Sequence, residues 1–77
     1  ALQSLSMINS DFMQEQSRAL ARRLESVPAA QRVQLAHRLT LGRPARPAEL
    51  QLARDFFARG GSLNDYSLAL LNRNEFL

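Results

Sequence analysis

The chain has no cysteine, no tryptophan and no lysine. Without cysteine it can form neither a disulfide nor a thiolate metal site. Glycine and proline number three each, so each one marks a boundary rather than a loop-rich fold. Residues branched at Cβ are confined to Ile8, Val27, Val33 and Thr40, and no segment alternates apolar and polar residues as a half-buried strand does. No apolar run approaches the roughly 18 residues that cross a bilayer. The absence of cysteine fits oxidising and reducing compartments equally, so composition leaves location open.

What is present is a helical alphabet. Leucine, alanine and arginine dominate 77 residues, and all ten basic residues are arginine. The pI of about 11.1 overstates the charge, because with no lysine no basic side chain titrates near pH 10. The net charge is +3, a modest field that is not in itself a nucleic-acid signature. A chain of this length makes one domain and buries only about 60 % of its unfolded surface. Its stability must come from helix packing, self-association or contacts with other chain. Because patterned sequence starts directly at Ala1, residues 1–77 read as one helical domain, a fragment or C-terminal module of something larger.

The predicted fold class is all-α: a small bundle of four main helices with a short leading helical turn. Leu2, Leu5, Met7 and Ile8 supply that turn, and Asn9-Ser10-Asp11 reads as the next helix start. The first helix is expected over about residues 11–26. Phe12, Gln16, Ala19, Leu20 and Leu24 mark its inner face. Glu15 with Arg18, and Arg22 with Glu25, are spaced for weak surface ion pairs. Ser26 is the expected cap of a second helix, with Pro28 in its first turn. That helix runs to about Leu41, with Val33, Ala36, Leu39 and Thr40 inward.

The densest punctuation is Leu41-Gly42-Arg43-Pro44-Ala45-Arg46-Pro47-Ala48-Glu49-Leu50. Gly42 suits the left-handed residue that closes a helix. Pro44 and Pro47 forbid continuation, and Pro47 suits the first position of a third helix. Glu49 then falls where its carboxylate reaches back to the capping N–H. Leu50, Ala53, Phe56 and Phe57 form the apolar stripe, and Asp55 with Arg59 an i,i+4 pair. Gly60-Gly61 stops this helix. Ser62 caps the fourth, with Asp65 three residues on and Leu63, Tyr66 and Leu70 inward. Asn72 and Asn74 favour a chain reversal that folds Phe76 back onto the core.

Four pieces in order carry a resemblance: residues 5–12; residues 16–24 ending Ala-x-Arg-Arg-Leu; Arg38-Leu39-Thr40-Leu41-Gly42-Arg43-Pro44 with Pro47-x-Glu49-Leu50; and Leu70-Leu71-Asn72-x-Asn74-Glu75-Phe76-Leu77. Together they resemble the C-terminal end of a large planctomycete-type domain family of unknown function. That resemblance implies an exported or periplasmic parent with cytochrome-c-like modules far upstream. It implies no haem here, since no Cys-x-x-Cys-His occurs. His37 stands where the family often has an aromatic residue, and Arg46 where it often has Ser or Thr. Residues 41–76 are also similar, as a second choice, to helical modules related to phycobilisome linkers.

The residues singled out as structural motif or interaction positions are Gly42, Arg43, Pro44, Pro47, Glu49, Asn72, Glu75 and Phe76. Arg43 reads as an ion-pair partner of Glu49 or Glu75 rather than an anion site. His37, the single histidine, has no nucleophile or ligand set nearby in sequence and reads as surface or half-buried packing. Gly60-Gly61-Ser62 lacks the strand and lysine of a phosphate loop. Residues 64–74 make a poor recognition helix: Asp65 sits near the start, and Arg73 comes only near the end. Arg18, Arg22, Arg23 and Arg32 read as a solvated basic surface. The segment therefore reads as a non-catalytic packing or protein-interaction module with no cofactor. Its partner is the rest of a parent chain, another protein or a second copy; nucleic-acid binding is the rival.

Overall fold

The computed structural model describes residues 11–75, with Asn74 and Glu75 described by their backbone alone. It contains four helices: α1 Asp11–Glu25, α2 Ala29–Leu41, α3 Pro47–Ala58 and α4 Leu63–Glu75. The fold is small and all-α, as composition and punctuation predict. The expected leading turn, its Asn9-Ser10 cap and Phe76 lie outside the described residues, as does the Glu75 side chain.

The centre of the core is Leu24, Ala36 and Leu70, with Leu20, Leu35, Leu63 and Tyr66 packed around it. The backbones approach most closely between α1 and α4, then between α2 and α4 and between α1 and α2. α3 approaches none of them comparably. Close approach of α1 and α4 fits the small residues they bury, Ser17 and Ala21 on α1 and Ser67 on α4.

Those residues correct the predicted face of α1. Met13, Ser17, Ala21 and Leu24 are buried, whereas Phe12 is 66 % exposed and Gln16 and Ala19 face out. The stripe is turned by about one residue because Ser17 belongs to it. Its hydroxyl donates to the Gln14 carbonyl at 2.8 Å, so burying it leaves no unpaired donor. On α2, Leu39 is 42 % exposed rather than inward; His37 and Thr40 take the buried positions beside Ala36. The Thr40 hydroxyl is satisfied in the same local way, by the Ala36 carbonyl.

The helix ends also differ from expectation in places. Ser26 does not cap α2; its hydroxyl donates backwards to the Arg23 carbonyl, and Pro28 holds the cap position. Arg32 leaves the predicted basic surface. Its Nε donates to the carbonyls of Leu24 and Val27 at 2.9 and 3.2 Å, closing the end of α1. Among the described residues the pairs Glu15–Arg18, Arg22–Glu25 and Asp55–Arg59 do not form; Asp55 accepts from Gln51 instead. α4 continues through Asn72 to Glu75, so no reversal occurs at Asn72 and Asn74. Ser62 does cap α4, its hydroxyl accepting the Asp65 N–H.

Gly42 closes α2 at φ 73°, its N–H donating to the Arg38 carbonyl. Nothing lies within 4 Å of a Cβ built there, so a side chain would cost backbone energy only. At Gly61 the situation is the reverse: a Cβ would overlap the Phe56 ring. Gly42→Val should lower unfolding free energy by roughly 1–2 kcal/mol. Gly61→Ala should cost about 1–3 kcal/mol through displacement of Phe56. Urea denaturation of both variants measures this; a wild-type midpoint in either would refute the corresponding assignment.

Candidate functional site

The polar groups that converge do so on Glu49. Pro47 opens α3 and places Glu49 in its first turn, on the positive end of the helix dipole. Glu49 Oε1 accepts the Arg46 backbone N–H at 2.8 Å. Arg46 has no side-chain acceptor to return the bond, so half of a capping box forms. Arg43, in the loop after Gly42, donates to both carboxylate oxygens, at 2.8 and 2.9 Å. Arg73, near the end of α4, donates to Oε2 at 3.3 Å. A carboxylate offers about four lone-pair sites, and these four N–H groups occupy them. The Glu49 pKa is held well below the carboxylate range, first by Arg43, then by the Arg46 N–H, with Arg73 adding and burial opposing.

The loop is tied separately. Ala45 is buried, and its N–H donates to Gln34 Oε1 of α2 at 2.8 Å. Pro44 is exposed; its carbonyl accepts from Arg43. Asn72 sits half-buried on α4, its side-chain oxygen without a hydrogen-bond partner among the described residues.

His37 corrects the sequence reading: it is 1 % exposed. Its Nε2 lies 2.7 Å from the Tyr66 hydroxyl, and its Nδ1 faces Glu49 Oε1 at 3.8 Å. Nothing local could reveal this, since 29 residues separate His37 from Tyr66. Burial lowers the His37 pKa; Glu49 opposes that shift, and Arg43 and Arg73 reinforce it. Burial raises the Tyr66 pKa, with Glu49 adding and Arg73 opposing.

Carboxylate, imidazole and phenol thus all line a cleft of about 630 Å³ between α3 and α4. Leu52, Phe56 and Leu70 supply much of its apolar lining, and Arg59 and Arg73 its cations. The grouping looks like a proton relay, and its geometry works against one. At 3.8 Å the Glu49–His37 separation is too long for a hydrogen bond. Glu49 is already neutralised by arginine, and the phenol is pushed away from ionisation rather than towards it. Among the described residues no group of three or more His, Cys, Asp or Glu could hold a metal ion.

A family model described as PSD1, protein of unknown function (DUF1553), matches residues 1–57. The chain belongs to the PSD1 family. No curated protein and no solved structure matches it. The match takes in α1, α2, the Gly42–Glu49 region and α3 to Phe57. Tyr66, Arg73 and the Leu-Leu-Asn-x-Asn-Glu-Phe-Leu ending lie beyond it. In this PSD1 segment the family match therefore holds Arg43 and Glu49, while their α4 partner Arg73 falls outside.

Both lowered pKa values carry the same sign. A group whose folded pKa is depressed contributes stability above its unfolded pKa and loses it as pH falls. The melting temperature should decline as pH drops below 6.5, where unfolded His37 protonates first, and further below 4.5, where unfolded Glu49 does. Glu49→Gln should melt lower than wild type at pH 7, and the gap should narrow as pH falls below 4.5. A gap independent of pH would remove the assigned role of the Glu49 charge. Tyr66→Phe, which leaves buried His37 Nε2 unpaired, should cost roughly 1–3 kcal/mol.

Proposed function

We propose that this PSD1 segment is a non-catalytic helical packing or protein-interaction module at the C-terminal end of a larger exported protein. The observation that carries the reading is the complete use of Glu49. The carboxylate best placed for acid–base work commits its acceptor sites to a cap, a turn and a neighbouring helix. The chemistry of the cleft wall is that of a fastener.

The exposed surface supplies the interaction side. Leu52 is 68 % exposed on α3 beside the cleft, and Leu39 is 42 % exposed on α2. These two side chains are where contact with more chain would bury further apolar area. The resemblance carried by the four sequence pieces points to an exported parent with cytochrome-c-like modules upstream, which would be the first chain to test. No helix among the described residues is long and apolar enough to cross a membrane.

Leu39→Ser and Leu52→Ser should each change the stability of the isolated chain by no more than about 0.5 kcal/mol. In the full-length parent the same substitutions should destabilise by more than about 1 kcal/mol, by removing apolar area that the neighbouring chain had covered. Calorimetry on both proteins decides it; equal effects in the two contexts would refute the packing role. Binding to generic duplex DNA with a steep salt slope would favour the nucleic-acid reading instead.

A further inference from the structure

We infer that α3 is a latched helix, able to open as a unit while α1, α2 and α4 stay folded. Three independent features converge on it. The first is packing. α3 approaches the other helices less closely than they approach one another, and Ala53 is its single fully buried residue, against four on α1. Half-buried side chains add to that hold: Leu50, and the rings of Phe56 and Phe57, which meet Tyr66 at centroid distances of 5.8 and 5.2 Å. The free energy of local opening rises with the apolar area that opening exposes to water, so α3 is the helix that detaches most readily.

The second feature is the electrostatic tie. Of the four N–H groups on Glu49, three belong to Arg43 and Arg46 in the loop just ahead of α3 and travel with it. The direct polar link from α3 to another helix among the described residues is the one to Arg73, at 3.3 Å, and Arg73 is 55 % exposed. Glu49 is largely covered but Arg73 lies on the solvent side, and at 3.3 Å this contact is the longest of the four on the carboxylate and open to screening by salt. His37 faces the same carboxylate without a hydrogen bond, and Tyr66 bonds His37 rather than α3. The Glu49 cluster therefore keeps α3 and its entry turn intact, and Arg73 latches them to α4.

The third feature is the pair of connections. Both loops flanking α3 carry a left-handed glycine, Gly42 at φ 73° and Gly60 at φ 92°. Ala45, between Gly42 and α3, is buried and its N–H bonds Gln34 of α2, so opening about Gly42 also breaks this second tie. Glu49 reaches Arg73 at one end while Phe57 meets Tyr66 at the other, so α3 lies antiparallel against α4 like a cover. Opening it uncovers the wall formed by His37, Tyr66 and Leu70, turning a half-open cleft into an accessible face. The inference concerns the fold itself and does not rest on the function proposed above.

Amide hydrogen exchange followed by NMR on the 77-residue chain tests it. Buried α3 amides should exchange at least about tenfold faster than those of α1 and α4 under native conditions. Raising sodium chloride from low concentration to about 1 M should speed α3 selectively, since the Debye length falls to about 3 Å. Arg73→Gln should do the same without salt and leave α1 exchange unchanged; this exposed substitution keeps the core and the Glu49 turn. If α3 exchanges together with α1 and α4, or if Arg73→Gln and salt accelerate every helix alike, α3 is part of one cooperative unit and the inference fails.

Discussion

The arrangement depends on one carboxylate being fully hydrogen-bonded. Glu49 sits on the first turn of α3, where the helix dipole already favours a negative charge. Arg43 fills both of its oxygens in the parallel geometry that guanidinium and carboxylate share. Because Arg43 follows Gly42 directly, the end of α2 is tied to the start of α3 through a side chain as well as the backbone. The Arg46 N–H, which would otherwise lack a partner at the helix start, is satisfied by the same group. One charged residue thus sets the turn, starts the helix and reaches α4 through Arg73.

That charge also sets the state of its neighbours. His37 is buried between it and Tyr66, and neutral imidazole is what burial favours. Glu49 pulls the other way, and Arg43 and Arg73 oppose it. The same cations that make Glu49 a strong fastener make it a poor general base. Stability and acid–base chemistry would compete for one pair of oxygens here, and the hydrogen bonds hold both oxygens in the turn and its neighbours.

The elements legible in the sequence are those whose signals are local. Gly42, Pro47, Glu49 and Ser62 act within a few residues of themselves through φ, a missing N–H or a nearby backbone donor, so spacing alone locates them. The inner face of α1 was only partly legible by apolar periodicity: Leu20 and Leu24 lie in the core as expected, but Ser17 also occupies a core position and satisfies its hydroxyl inside its own helix. Arg32 looked like surface charge because its acceptors are carbonyls, which carry no letter in the sequence. The expected i,i+4 and i,i+3 pairs failed for a related reason: exposed pairs bring little against the entropy of fixing two long side chains. The cleft wall needed the fold itself, since His37, Glu49 and the pair Tyr66 and Arg73 come from three separate helices.

The polar character of the interior also bears on what the segment does. Ser17, His37, Thr40 and Ser67 are buried among only a few large apolar residues, while Phe12, Leu39 and Leu52 stand outside. A chain this short that places serine and threonine in its core gains close helix approach but gives up buried apolar area, and area is what stabilises small domains. Apolar side chains left outside are then the natural place to recover it, by contact with further chain. The same shortage explains why α3, holding one fully buried residue, leans on a shared ion pair. That shortage supports the proposed packing role, in which a neighbour completes the domain, over one that needs side chains locked by dense packing in a precise reactive geometry.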